Sequence, residues 1–275
     1  MDSALPDLED IRPAYVGTPR GRLHYLEAGM GTKAILLFHE TPLSSKSFVR
    51  LMPLLAVHLR VIAFDTPGYG GSASLSGDPS IEGYADFIWD AVRQLGLTEV
   101  AVAGIHTGAA IAVELASNSR PGPWVVAAVL SGVPVFEAAG RAKLASFIER
   151  DSDPGEAAVV QTWQDRARRW VRASPELLIQ ALADELAVFA RRNEGFKAVR
   201  DYDTRGAIAR VAVPVLVLNG EQDSMAQIDI AAAPLFADAK LVLLPEWGGQ
   251  LQWSAVETYG SHVLDFVQAK FSQEF

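Results

Sequence analysis

The sequence predicts an α/β fold: a mostly parallel sheet of eight strands flanked by helices, with a helical cap inserted after the sixth strand. Three observations carry this. Short apolar runs alternate with helical patterns over most of the 275 residues. The alternation stops between about 136 and 208, where the chain turns helical and charged. It then resumes and ends on a strand and a helix. The expected organisation is a core domain of residues 1–135 and 209–275 carrying a cap of residues 136–208.

In chain order, "PAYVG" (13–17) and "RLHYLEAG" (22–29) form a strand pair joined at the turn "TPRG". "AILLF" (34–38) is a continuous apolar run, as expected of a strand buried on both faces. Ser44 and Ser45 can cap the helical segment "KSFVRLMPLLAVH". "VIAFD" (61–65) is a further buried strand, stopped by "TPGYGGS". Ile81, Tyr84, Ile88, Ala91 and Leu95 recur at helical spacing over 81–97. Strand "EVAVAG" (99–104), helix "TGAAIAVELAS" (107–117) and strand "WVVAAVLSG" (124–132) follow. The cap holds "TWQDRARRWVR" and "PELLIQALADELAVFARR". The last elements are strand "VPVLVLNG" (213–220), a helix near 226–236, strand "KLVLLP" (240–245) and a helix over 253–271.

Composition narrows the function. Apolar residues make up 49% of the chain, enough for a substantial core, and the formal net charge is −9. No Lys/Arg run suggests a phosphate-tracking surface, so nucleic-acid binding is not expected. The absence of cysteine rules out disulfides, thiolate metal sites and a Cys nucleophile, and suits a cytoplasmic location. The opening "MDSALPDLED" lacks the apolar stretch of a signal peptide, and no apolar run approaches the roughly 20 residues of a membrane span. A small-molecule substrate is the expected partner, with no membrane, no cofactor and no bound metal; a homodimer is left open.

Four segments in order resemble the α/β-hydrolase family. "LLFHETPLSSKSF" is similar to its His-Gly-x-Pro loop, and "FDTPGYGGS" to its Asp-x-Pro-Gly-x-Gly-x-Ser segment. "GIHTG" (104–108) stands where the family has Gly-x-Ser-x-Gly, and "LVLNGEQD" (216–223) where a strand end carries the catalytic acid. The family scheme is a serine nucleophile, a histidine that takes its proton, an acid that orients the histidine, and backbone N–H groups that hold the oxyanion. Laid over it, the nucleophile position is His106 and the acid is Asp223. In "LLPEWGGQLQW", where the histidine is expected, stands Gln250. Glu40 replaces the usual glycine after His39. The resemblance places the oxyanion donors at the amides of Thr41 and Thr107.

These departures remove acyl-serine chemistry in its usual form, because Gln250 cannot accept a proton at neutral pH. Imidazole can, with an unperturbed pKa near 6.5. A helix N-terminus beside His106 is expected to lower that pKa and favour a neutral general base. Glu40 is expected to pair with His106 or His39, so that Glu40 and Asp223 support the base. His106, Asp223, Gln250 and Glu40 are therefore the candidate catalytic set. His39, Trp163, Trp247 and Trp253 are candidate substrate contacts, although His39 also reads as a brace for its own loop. Thr107 as nucleophile, His262 as the missing base, and a metal held by His39, Glu40, His106, Glu221 and Asp223 are less favoured, the last because the residues lie scattered over loops. The expected activity is hydrolysis of an ester, lactone or C–C bond in a small apolar carbonyl compound, or a cofactor-free lyase or isomerase step. The alternative is a binder without turnover.

Overall fold

The computed structural model describes residues 10–117, 124–150, 156–170 and 172–271. The expectation for the first ten residues therefore falls almost wholly outside the described chain, and residues 151–155 and 171 of the cap do so as well. The strands are β1 (Arg12–Thr18), β2 (Gly21–Ala28), β3 (Ala34–Phe38), β4 (Arg60–Phe64), β5 (Glu99–Ile105), β6 (Trp124–Ser131), β7 (Val215–Gly220) and β8 (Ala239–Leu244). They form one sheet in the order β1-β2-β4-β3-β5-β6-β7-β8. β2 pairs antiparallel with both β1 and β4; every other pairing is parallel.

The central strands lie between two apolar layers. In β3, Ala34, Leu36 and Phe38 join one core cluster and Ile35 and Leu37 the other, so the run is apolar at every position rather than at alternate ones. Helices α1 (Met52–Ala56), α2 (Ile81–Gln94) and α3 (Thr107–Ala116) lie between the strands of the first half. Ser80 caps α2, its side chain accepting from the Gly83 N–H. All ten residues of α3 are buried, which explains its run of small side chains.

Between β6 and β7 come α4 (Ala138–Arg150), α5 (Glu156–Arg169), α6 (Pro175–Ala187), α7 (Glu194–Asp201) and α8 (Thr204–Ile208), the helical insertion. After β7 follow α9 (Ala226–Ala232), and after β8 α10 (Leu251–Ser254) and α11 (Val256–Phe271). Two expected helices are broken. The segment after Ser44 forms a 3-10 turn, Ser45–Phe48, and then the short α1, whose Pro53 can only sit at a helix start. Ser44 caps that turn. The last helix is interrupted at Ala255, whose φ of −130° and ψ of 44° are not helical. Among the described residues no helix is long and apolar enough to cross a membrane.

Candidate active site

The turn between β5 and α3 forces His106 outward. Its φ is 50° and its ψ −108°, a conformation rare outside glycine. Two glycines make the turn tight. A Cβ at Gly104 would lie 2.1 Å from the Gly108 carbonyl oxygen, and one at Gly108 would lie 2.0 Å from that of Phe38. The His106 N–H donates to the Ser131 carbonyl at 2.8 Å, pinning the turn to the end of β6. Gly132 lies directly against the ring: a Cβ there would be 2.1 Å from His106 Cδ2.

Both ring nitrogens of His106 meet carboxylates. Nδ1 lies 2.8 Å from Glu40 Oε2 and Nε2 lies 3.3 Å from Asp223 Oδ1. Burial alone would push the imidazole pKa down, but the Asp223 and Glu40 charges outweigh it and hold the pKa well above 6.5. The expectation of a pKa lowered by the α3 N-terminus is thus corrected in direction: the two facing carboxylates raise it and favour the imidazolium. Magnitudes explain the outcome. A helix terminus contributes about 0.3–1 kcal/mol, whereas a unit charge about 4 Å away contributes roughly 4 kcal/mol at an effective dielectric near 20. Asp223 is buried, which raises its pKa, but the imidazolium and the Met225 N–H more than offset this and hold it below 3.8.

Supporting contacts extend in both directions. Gln250, in the left-handed conformation at φ 64°, donates from Nε2 to Glu40 Oε1, and its own Oε1 accepts from Gln252 Nε2 at 3.0 Å. Gln250 therefore positions Glu40 and does not line the cavity. On the other side the Met225 N–H donates to Asp223 Oδ1 at 2.7 Å, and Asn219 Nδ2 reaches the same oxygen at 3.3 Å. Asn219 also donates to Asp229 Oδ2 at 2.8 Å. The buried Asp229 receives the N–H groups of Gly132 and Val133 as well, fixing the backbone under the His106 ring.

His106, Glu40 and Asp223 line a cavity of about 580 Å³ together with Thr41 and Thr107. Neither the Thr41 nor the Thr107 N–H has a hydrogen-bond partner among the described residues, as the oxyanion assignment requires. The far wall of the cavity is the helical insertion, where Phe147, Arg166, Trp170 and Phe196 meet it.

The four candidate substrate contacts do not line this cavity. His39 accepts the Thr66 N–H on Nε2 at 3.0 Å, and its Nδ1–H lies 2.9 Å from the Glu40 carbonyl oxygen, so both nitrogens brace the loop. Trp253 donates to Ser174 Oγ at 3.3 Å and lies under the Arg50 guanidinium. Trp247 stacks with Arg172. Trp163 is off the cavity face of α5, which carries Thr162, Asp165, Arg166 and Arg169 at helical spacing; Trp170 takes the place expected of it. Asp65 accepts from His24, Ser45 and Gly71, a loop organiser whose pKa burial raises but whose hydrogen bonds bring to about 2. Glu221 and His262 are not among the cavity residues. No group of three or more His, Asp or Glu residues is arranged to hold a metal ion among the described residues. Asn219 and Gln252 lie inside motif segments that gave them no role, and Arg166 has no motif to mark it, its only sequence trace being the basic run "RARR" on α5.

An outward-pointing residue on a strand–turn–helix elbow, an acid after β7 and a pair of open amides define the α/β-hydrolase architecture. The chain belongs to the α/β-hydrolase-fold family, which matches residues 33–255. It is 30% identical over 110 residues to (E)-2-((N-methylformamido)methylene)succinate hydrolase of Acinetobacter baylyi, a match covering 40% of this chain and 41% of that protein. It is 22% identical over 93% of its length to a bifunctional esterase/perhydrolase of Acinetobacter calcoaceticus, of which it covers 99%. Its fold is similar to that of a putative lipase of Acinetobacter baumannii, with a TM-score of 0.83 at 18% identity over 97% of this chain and 94% of that one.

Proposed function

We propose that the chain is a hydrolase acting on a small carbonyl compound, with His106 as its proton-transfer residue in place of a serine nucleophile. The observation that carries this is the His106 ring, held by two carboxylates at the mouth of an elbow beside the open Thr41 and Thr107 amides. The two contacts differ. The Glu40 carboxylate is the closer, at an ion-pair distance of 2.8 Å from Nδ1; Asp223 is hydrogen bonded to Nε2 at the longer 3.3 Å. Glu40 is therefore the anchor, and Nε2 is the working nitrogen.

Ester hydrolysis then runs without an acyl-enzyme. A water oxygen adds to the carbonyl carbon as its proton passes to the Asp223 carboxylate. The carbonyl oxygen becomes an oxyanion on the Thr41 and Thr107 N–H groups. As the carbonyl re-forms, the C–O bond to the leaving group breaks and the leaving oxygen takes the Nε2 proton. Neutral His106 next accepts the proton held by Asp223 and is restored as the imidazolium, so Asp223 rather than His106 takes the water-activating role expected of the imidazole. The hydrolase and esterase activities of the relatives support hydrolysis over the lyase and isomerase readings.

One observation favours the second reading, a binder without turnover: both nitrogens of His106 already have partners. Replacing His106 by Ala and measuring turnover and binding separately decides between them. Loss of turnover with retained binding supports the enzyme. Turnover of carbonyl substrates that is unchanged in H106A, or absent from the wild type across esters, lactones and β-diketones, removes this mechanism.

A further inference from the structure

We propose that the cap wall of the cavity is a carboxylate subsite in which Arg166 receives the anionic end of the substrate. The inference rests on the reading of this cavity as the active site and gives its substrate a chemical class. Arg166, on α5, is 7% exposed and lines the cavity. Its Nη2 lies 2.5 Å from Glu185 Oε2 on α6, and Glu185 is shared with Arg192, whose Nε is 3.6 Å from the other carboxylate oxygen. Arg166 Nη1 is buried and has no hydrogen-bond partner among the described residues. A buried guanidinium N–H without an acceptor is costly, and a planar carboxylate is the acceptor its fork fits best.

The surroundings select the rest of the ligand. Phe136, Leu144, Phe147 and Phe196 make an apolar wall, and His106 with the Thr41 and Thr107 amides marks the carbonyl end. The substrate is thus a carbonyl compound with an apolar middle and a carboxylate tail, rather than an uncharged apolar one. A phosphate dianion fits less well, since Glu185 already occupies one edge of Arg166 and Glu40 acts on the same guanidinium.

Phenylacetate and its neutral counterpart phenylacetamide test this by titration calorimetry, with inorganic phosphate as a third probe. The acid is expected to bind roughly tenfold or more tightly than the amide, the weight of one hydrogen bond to a charged group, and phosphate to bind more weakly than the acid. R166Q is expected to abolish the preference, bringing the acid to the affinity of the amide; R166Q/E185Q, which removes both buried partners, serves if the single variant does not fold. H106A is expected to keep the preference, which separates this subsite from the catalytic proposal: preference without turnover leaves the subsite standing alone. Equal affinity for acid and amide in the wild type, a preference that survives loss of Arg166, or phosphate binding as tight as the acid overturns it.

Discussion

Glu40 and His106 are ion-paired at 2.8 Å, Oε2 to Nδ1, and this pair sets an acid against the side chain at the elbow. In the usual arrangement an acid orients a histidine that serves a separate nucleophile. Here an imidazole stands at the elbow itself, and Gln250 donates to the carboxylate that faces it.

The first prediction is that His106 stays protonated at neutral pH and titrates only well above 6.5. Its folded pKa is raised, so its stabilising contribution is full below the unfolded value near 6.5 and is lost as pH rises through the folded value. Asp223 has a lowered pKa, so its contribution is present above about 3.8 and is lost as pH falls through the folded value. The clamp is strongest between these limits. E40Q and D223N should each bring the His106 titration to lower pH, read by NMR of 15N-labelled histidine, and E40Q should bring the alkaline loss of turnover down with it. A His106 ring that is neutral at pH 7 in the wild type would contradict the clamp.

Much of this site was legible in the sequence because backbone shape leaves residue-type traces. Gly104 and Gly108 flanking His106 betray the elbow, and Asp223 follows a strand whose apolar run is plain. The pairing of Glu40 with His106 was one of two partners the sequence allowed. The charge of His106 was not legible. Reading the pKa shift from the adjacent helix gave the opposite direction, because the carboxylates that raise it arrive on loops remote in the chain. The aromatic candidates failed for a related reason: composition marks Trp163, Trp247 and Trp253 as large and apolar but not which way they point. Arg166 carries no mark in the sequence, since nothing local records that Glu185 pairs with only part of it.

The second prediction concerns Gly132. Its φ is +69°, and a Cβ would fall 2.1 Å from His106 Cδ2 and 2.7 Å from Nε2. G132A must therefore strain its own backbone and displace the ring from Asp223. A stability loss of about 1–3 kcal/mol is expected for the backbone conformation alone, with a larger effect on kcat than on KM. Urea unfolding and steady-state kinetics check it; wild-type kcat in G132A would show that the ring position is not critical.

The third prediction is that Asp229 supports the site from below. It is fully buried and its oxygens accept from Gly132, Val133 and Asn219. In D229N one acceptor oxygen becomes an NH2 group facing an N–H donor. The expected cost is about 1–3 kcal/mol of stability, read as a lowered urea midpoint at unchanged m-value. An unchanged midpoint would mean the turn holds without it.

The last prediction reverses the sequence departures. H106S with Q250H supplies a nucleophile and a base, but the structure adds a condition. The side chain at 250 reaches Glu40, so a histidine placed there would find Glu40 before it found Asp223. Glu40 also stands next to the Thr41 amide, where its charge would oppose an oxyanion. Restoring glycine at 40 removes both obstacles. Gly249 already lies against Asp223, a Cβ there falling 2.3 Å from Oδ2, so the loop carrying residue 250 passes beside the acid. The triple variant E40G/H106S/Q250H should therefore hydrolyse p-nitrophenyl acetate with a burst that reports an acyl-enzyme. The double variant H106S/Q250H should do so less well. The matched control E40G/H106A/Q250H, which lacks the hydroxyl at the elbow, should show no burst. A folded triple variant without a burst would mean that residue 250 cannot reach the elbow, and that the glutamine marks a backbone position rather than a lost histidine.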